Sequence, residues 1–416
     1  MAFLFMKLKL IKYSLTALLI GFSFWLYFQM STYPYKVDRW IQPLEARVAI
    51  ATAKNCSREN TWLNMLADYL AIRQGAYSAQ VAFGDAENTL DTCEVGFKAV
   101  FLGESVDSTN RYRYASVSKL VTAAAIFSLV KEGKLNLDDT LVSFLPEAAQ
   151  FKDERVRKIT ISHLLNHSAG FNRLGVSGDP MFLLRNKPWC PHDMSQLQSL
   201  KLTFNPGDRQ VYSNLGYCLL GEVIHRVTGK NYHDYVNDEY SLTDRNIKFV
   251  DNYYYADEVR YDYRYEEWFS DGYLQKFDFK AVASAAGLSG SALSLAKLLR
   301  DINHHSDESP FALRTQLASC DLKKIYGCIS DGAFHYQPEK NGMTLHFHGG
   351  YLPGSTSMAV VDSYGGVLVI VMSGARPNQD KPENEWMKWI YERLSLHYTM
   401  QGKLPILESF IPDNNH

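Results

Sequence analysis

A chain of 416 residues, 46% hydrophobic and 21% charged, reads as globular and is long enough for a large core or two lobes. A formal charge of −2 without a basic stripe leaves no electrostatic case for binding nucleic acid. Aromatic residues reach 13%, largely through 26 tyrosines, which suits ring-lined pockets or surfaces.

Lys7, Lys9 and Lys12 precede YSLTALLIGFSFWLYFQMSTYPY, Tyr13 to Tyr35, which is uncharged, long enough to span a bilayer and flanked by interfacial Tyr and Trp. The lysines favour an N-terminus inside, with the bulk of the chain on the outer, periplasmic side of the cytoplasmic membrane. A cleaved signal peptide, giving a secreted protein, is the alternative, but WLYFQMSTYPYK offers no convincing small-x-small site. The expected organisation is residues 1–12 cytoplasmic, 13–35 a signal anchor and 36–44 a linker. One folded domain follows over 45–400, with a helical lobe at about 135–285, and 401–416 form a tail.

Within that domain a helix is expected from Glu45 to Gln74, followed by strands in AYSAQVAFG and VGFKAVFLGE. KLVTAAAIFSLVKEG is rich in helix formers and stops at Gly133. LNLDDTLVSFLP reads as a turn-rich connection, and ITISHLLNHSAG and GYCLLGEVIHRVTGKNYHDYV as short helices. DNYYYADEVRYDYRYEEWFSDGY, Asp251 to Tyr273, reads as half-buried strand and loop packing, with a ring-lined cleft wall as the alternative. STSMAVVD and GGVLVIVMSG are joined by Ser-Tyr-Gly as strand, turn and strand; NEWMKWIYERLSLHY is an amphipathic terminal helix. Strands at both ends enclosing a helical middle predict an α+β (α/β sandwich) fold: an antiparallel sheet flanked by helices, with an inserted, mainly helical lobe.

The six cysteines all lie beyond the apolar segment, an even number suited to an oxidising compartment. Fifteen pairings are possible; proximity favours Cys320–Cys328, then Cys56–Cys93 and Cys190–Cys218. No C-x-x-C pair suggests a metal knot.

YASVSKLVTAAA, Tyr114 to Ala125, places two serines and a lysine at a helix start. Residues three apart share a helix face, so Ser116 meets Lys119, whereas Ser118 points about 100° away. Alone, S-x-x-K is weak, because a serine at a helix start is usually an N-cap. Two later stretches change the odds: Tyr212-Ser213-Asn214 in FNPGDRQVYSNLGYCLLGE, after a Pro-Gly turn and before a helix, and His348-Gly349-Gly350 in LHFHGGYLPGSTSMAVVD.

This ordered set resembles the serine β-lactamase and penicillin-binding protein superfamily, especially its class C β-lactamase, D,D-peptidase and esterase-like branch. That branch carries S-x-x-K, then Y-x-N, then K-T-G or a histidine variant. ITISHLLNHSAGF, AAGLSGSALSLAKLLRDI and LPGSTSMAVV are also similar, so the likeness runs from about Tyr112 to Gly374. It implies a β-lactamase/transpeptidase-like fold and a hydrolase with nucleophile Ser116, with Lys119 and Tyr212 as a coupled acid–base unit whose division of labour stays open. Asn214 would bond Lys119 and the substrate amide, and backbone N–H groups of Ser116 and Tyr351 would form the oxyanion hole. Gly349 and Gly350 would let substrate lie along the strand, beside His348. His348 stands where the family's lysine meets a substrate carboxylate, and a mostly neutral histidine weakens that recognition.

Among the remaining residues, His163 and His167 are read as structural, and His346 as packing on the face opposite His348. Ser118 and Ser213 are read as local backbone binders. No metal and no cofactor is expected. The implied partners are a small-molecule or peptide substrate, cell-wall-derived compounds included, and the membrane. The leading function is a membrane-anchored serine hydrolase forming an acyl-enzyme on a D-amino-acid peptide, β-lactam or ester. The alternative is a binding protein or sensor that is acylated without turnover.

Overall fold

The structure is a computed structural model that describes residues 2–32, 34–58, 61–99, 103–145, 150–172, 188–260, 274, 277–304, 309–314, 320–374 and 385–405. Strands β1 (Lys54–Cys56), β2 (Ser78–Gly84) and β3 (Asp91–Gly96) form near its N-terminal end. Three short strands, β4 (Tyr112–Arg113), β5 (Lys248–Phe249) and β6 (Leu288–Gly290), make a separate sheet in the order β4-β6-β5. Then come β7 (Ile329–Ser330), β8 (Ala333–Tyr336), β9 (Leu345–Leu352), β10 (Ser355–Asp362) and β11 (Val367–Ser373). Both ends of the chain combine in one sheet, β1-β3-β2-β11-β10-β9-β8-β7, with every neighbouring pair antiparallel.

The near-uniformly apolar β11 is explained by two covered faces. Val367, Val369 and Val371 point into the larger core, Leu368, Ile370 and Met372 into the other. That second core is closed by α2 (Pro34–Thr52), α3 (Trp62–Ile72) and the C-terminal helix Glu385–Met400. The larger core gathers α4 (Ser118–Lys131), α5 (Leu141–Phe144), α6 (Ile161–Leu165), α7 (Asn214–Thr228), α8 (Tyr232–Tyr240), α9 (Ala283–Ala286) and α10 (Ala292–His304). The expected α+β sandwich is the fold observed. Ahead of both layers stands α1 (Ala2–Thr32), whose Ile11–Thr32 portion is apolar and long enough to cross a membrane and is not buried in the domain.

Several local expectations change. The segment expected as a linker, 36–44, lies within α2, which starts at Pro34 and continues through Pro43. Helix α2 is held to the domain by Gln42, which donates to the carbonyls of Ala71 and Ala76, and by buried Ala46 and Ala49. The single helix expected over Glu45–Gln74 is interrupted by β1, whose Cys56 sits directly opposite Cys93 in β3 and is disulfide-bonded to it. The strand expected in VGFKAVFLGE ends at Gly96, which takes φ +103°. Cys190–Cys218 and Cys320–Cys328 are paired as sequence proximity suggested. His346 and His348, read as facing opposite ways, share a face of β9, because strand side chains alternate every residue and these two are separated by one. Of Asp251–Tyr273, residues 261–273 lie outside the described residues, as do 406–416 of the tail.

Candidate functional site

The chain reaches Ser116 through a tightly fastened segment. Strand β4 leads into Tyr114, a single 3-10 turn spans Ala115–Val117, and α4 begins at Ser118. Two β10 serines fix the approach: Ser355 Oγ donates to the Arg113 carbonyl at 2.9 Å and Ser357 Oγ to that of Tyr114. Tyr114 also donates its N–H to Leu288 and its hydroxyl to Ser291, both 2.8 Å. Behind it, buried Arg113 pairs with buried Glu258 at 2.7 Å and Arg111 with Asp257 at 2.9 Å. The described part of the tyrosine-rich stretch, 251–260, thus braces the strand that leads into the Ser116 turn. Ala115 adopts φ +49° immediately before Ser116, a left-handed conformation costing an L residue about 1–2 kcal/mol.

Helical spacing delivers the expected pair. Lys119, fully buried one turn beyond half-buried Ser116, donates to Ser116 Oγ at 3.2 Å, Asn214 Oδ1 at 2.9 Å and the Ala285 carbonyl at 2.7 Å. Ser118 points elsewhere, its Oγ accepting from the Leu288 N–H at 3.0 Å. The rings of Tyr212 and Tyr217 lie 4.9 and 5.3 Å from Lys119 Nζ. Tyr212 is brought there because α7 starts two residues later, capped by Ser213 Oγ, which accepts from Gly216.

Strand β9 supplies the facing wall. A Cβ at Gly350 would collide with the Tyr114 carbonyl and Ser357 Oγ and lie 3.1 Å from Ser116 N, so that glycine makes room for the Ser116 turn. A Cβ at Gly349 would meet Met358 Cε at 3.4 Å and Tyr326 Oη at 3.7 Å, which is ordinary contact on the opposite face. Strand β8 pairs with β9 only from Leu345 to Phe347, and Tyr351 is half-buried two residues beyond Gly349. His348 is enclosed: 1% exposed, it bonds the Gly349 carbonyl through Nδ1 at 2.7 Å. A carbonyl only accepts, so Nδ1 carries the proton and Nε2 is a bare acceptor, without a partner among the described residues. Burial, with help from the Lys119 charge, pushes its pKa down to about 3. Ser116, Lys119, Tyr212, Asn214, His348 and Gly350 therefore come together where β9 meets the helical lobe, with the His348 ring 6.1 Å from that of Tyr212, whereas Gly349 turns to the other face and Tyr351 follows further along the strand.

Two further groups adjoin the cluster. The Ala285 carbonyl, an acceptor of Lys119, belongs to the four-residue α9, and no side chain advertises it. His167, read as structural, lies with its ring 4.5 Å from that of Tyr212 and 5.2 Å from that of Tyr217. Burial holds it uncharged, its pKa well below the usual value. His163, by contrast, completes a capping box with Thr160 at the start of α6. His346 Nδ1 bonds Nδ1 of His335, a buried partner on β8 at 2.7 Å.

Comparison with known proteins agrees with this geometry. A family model described as Beta-lactamase matches residues 64–390. A Dichelobacter nodosus protein named for fimbrial assembly, FimD of serogroup D, is 34% identical over 348 residues, covering 83% of this chain and 87% of that protein. Protein flp of Staphylococcus aureus strain MW2 is 31% identical over 146 residues, 35% of this chain and 29% of that protein. Among solved structures, the D-amino acid amidase of Ochrobactrum anthropi SV3 with L-phenylalanine superposes with TM-score 0.62 at 18% identity, over 82% of this chain and 98% of that one. A penicillin binding protein from Bacillus halodurans gives TM-score 0.58 at 21% identity, over 76% and 95% of the two chains.

Proposed function

The chain belongs to the β-lactamase family of serine hydrolase fold, and on that premise we propose that it is a membrane-anchored hydrolase that forms an acyl-enzyme at Ser116. The observation carrying this reading is the convergence of Ser116, Lys119 and Asn214 in one hydrogen-bonded cluster with the Tyr212 ring over it.

Ser116 Oγ attacks the carbonyl carbon of an amide or ester while Tyr212, coupled to Lys119, takes its proton. The oxyanion is received by the N–H groups of Ser116 and Tyr351. Collapse expels an amine or alcohol that carries away the proton, leaving the acyl group on Ser116. Water then attacks the ester, the same pair removes its proton, and the product acid leaves with Ser116 restored. Substrate lies along β9 past the end of β8, with its amide near Asn214.

A neutral, enclosed His348 at the position beside the substrate favours esters, D-amino-acid amides and peptides over compounds held by a free carboxylate. The apolar Ile11–Thr32 helix and three disulfides support anchoring with the domain on the extracytoplasmic side. Relatives named for fimbrial assembly, which match most of this chain, favour a second reading: a surface-assembly role in which Ser116 is acylated without turnover.

Intact-mass spectrometry of the full chain in detergent, sampled over time with a penicillin and with a p-nitrophenyl ester, separates the two. An adduct on Ser116 that forms and decays with product release fits the hydrolase. One that persists fits the second reading, and absence of both adduct and product release with both reagents leaves the fold standing without acyl-enzyme chemistry to support it. Ser116→Ala is expected to abolish the adduct and Ser118→Ala to retain it; the reverse would refute Ser116 as nucleophile.

A further inference from the structure

The C-terminal end of α6 is built at a cost. Asn166 caps the helix and His167 follows in the left-handed region at φ +54°. Glycine takes that conformation without strain and is the usual residue just past a helix end, whereas an L side chain there is strained by its Cβ. The backbone alone therefore gives no reason for histidine. Its side chain and carbonyl give one. The His167 carbonyl accepts the N–H of Val211 at 2.8 Å, and its Nδ1 accepts the N–H of Ser213 at 3.1 Å. Between those two residues stands Tyr212, and the imidazole lies 4.5 Å from its ring.

We propose that His167 is the positioning residue of Tyr212, holding the backbone on both sides of the phenol and backing its ring so that the hydroxyl stays aimed at the Ser116–Lys119 pair. This rests on the reading of Tyr212 as an acid–base partner.

The bond to Ser213 also fixes the tautomer. Nδ1 accepts, so a neutral His167 carries its proton on Nε2, which is buried without a hydrogen-bond partner among the described residues. A buried donor left unsatisfied is destabilising, a second expense that glycine would avoid. Burial and the neighbouring Lys119 charge oppose a second proton, which would displace the Ser213 N–H. The clamp thus depends on the neutral ring.

A histidine that merely packs and one that aims Tyr212 make different predictions. Labelling of Ser116 by a fluorophosphonate is measured on the full chain in detergent, with thermal melting alongside. H167G removes ring and acceptor while relieving the backbone, so the fold persists. It is expected to slow labelling roughly 10- to 100-fold, as loss of aim at a reacting group does. H167N restores an acceptor and tolerates the left-handed backbone, and is expected to recover most of that loss. In a Y212F background H167G should add nothing.

Equal slowing by H167G in both backgrounds, no slowing at all, or failure of H167N to improve on H167G would overturn the inference while leaving Tyr212 in place. Labelling of Y212F at the wild-type rate would remove the acid–base role of Tyr212 and this inference with it. A wild type inert to the reagent would sink the hydrolase reading itself.

Discussion

Lys119 donates to three acceptors, and an ammonium has three protons to give. A protonated Lys119 holding those bonds would orient and neutralise charge, and the proposed base role then falls on Tyr212. Lys119→Met would leave Asn214 Oδ1 and the Ala285 carbonyl buried without this donor, at about 1–3 kcal/mol each. Its melting temperature is expected to fall together with Ser116 labelling. Tyr212→Phe keeps the ring and every backbone contact, so it is expected to leave melting nearly unchanged while slowing ester turnover by about 10² or more. Comparing melting and turnover side by side checks both, and a Tyr212→Phe protein that turns over normally would return the base role to Lys119.

The meeting of β9 with the nucleophile turn yields a paired prediction for two adjacent glycines. A methyl at Gly350 has no space against Tyr114 and Ser357, whereas one at Gly349 meets only ordinary contacts. Gly350→Ala is therefore expected to push β9 off the turn, lowering the melting temperature and abolishing labelling. Gly349→Ala is expected to retain both within a few-fold; equal damage from the two would contradict the packing described here. The sequence supplied one reason for both residues, access for substrate, because identity carries no information about which face packs against what. What was legible rested on local periodicity: Lys119 one turn from Ser116, Ser118 turned away, β10 and β11 around a glycine turn, and cysteines paired with near neighbours. Helix α2 was not: it runs through Pro43, which removes a helix hydrogen bond, and is held from outside by Gln42 bonding the end of α3. Nor was the role of His167, which depends on a left-handed backbone and on Tyr212, 45 positions away, that no local pattern joins to it.

Across the whole molecule, buried titratable groups set the response of stability to pH. Burial lowers His335 to about 4 and His346 and His348 to about 3, from an ordinary 6.5, and His167 well below it. The first two share a single proton across 2.7 Å. His335 donates Nε2–H to the Ser330 carbonyl, so its Nδ1 accepts from His346 and has no room for a second proton. A depressed folded-state value means that the unfolded chain binds more protons below 6.5. Stability from these histidines is therefore complete above that pH and is lost as pH falls, at about 1.4 kcal/mol per pH unit for each. Glu94 works against them. It is buried on β3, its Oε1 lacks a partner among the described residues, and desolvation pushes its pKa up to about 7 from 4.5. A raised carboxyl binds more protons folded than unfolded, so its contribution falls as pH rises from 4.5 to 7 and partly masks the histidine slope. Glu94→Gln removes that part of the mask, leaving Asp331 and Asp362, whose carboxyls burial also raises. Melting of the full chain should then rise at pH 8, where the desolvated Glu94 carboxylate costs about 3 kcal/mol, and change little near pH 4. Between pH 6.5 and 4.5 the variant should lose stability more steeply than wild type. A flat profile in Glu94→Gln over that range would mean the histidines take up protons in the folded state, and that the enclosure drawn here around His348 and His167 opens in solution.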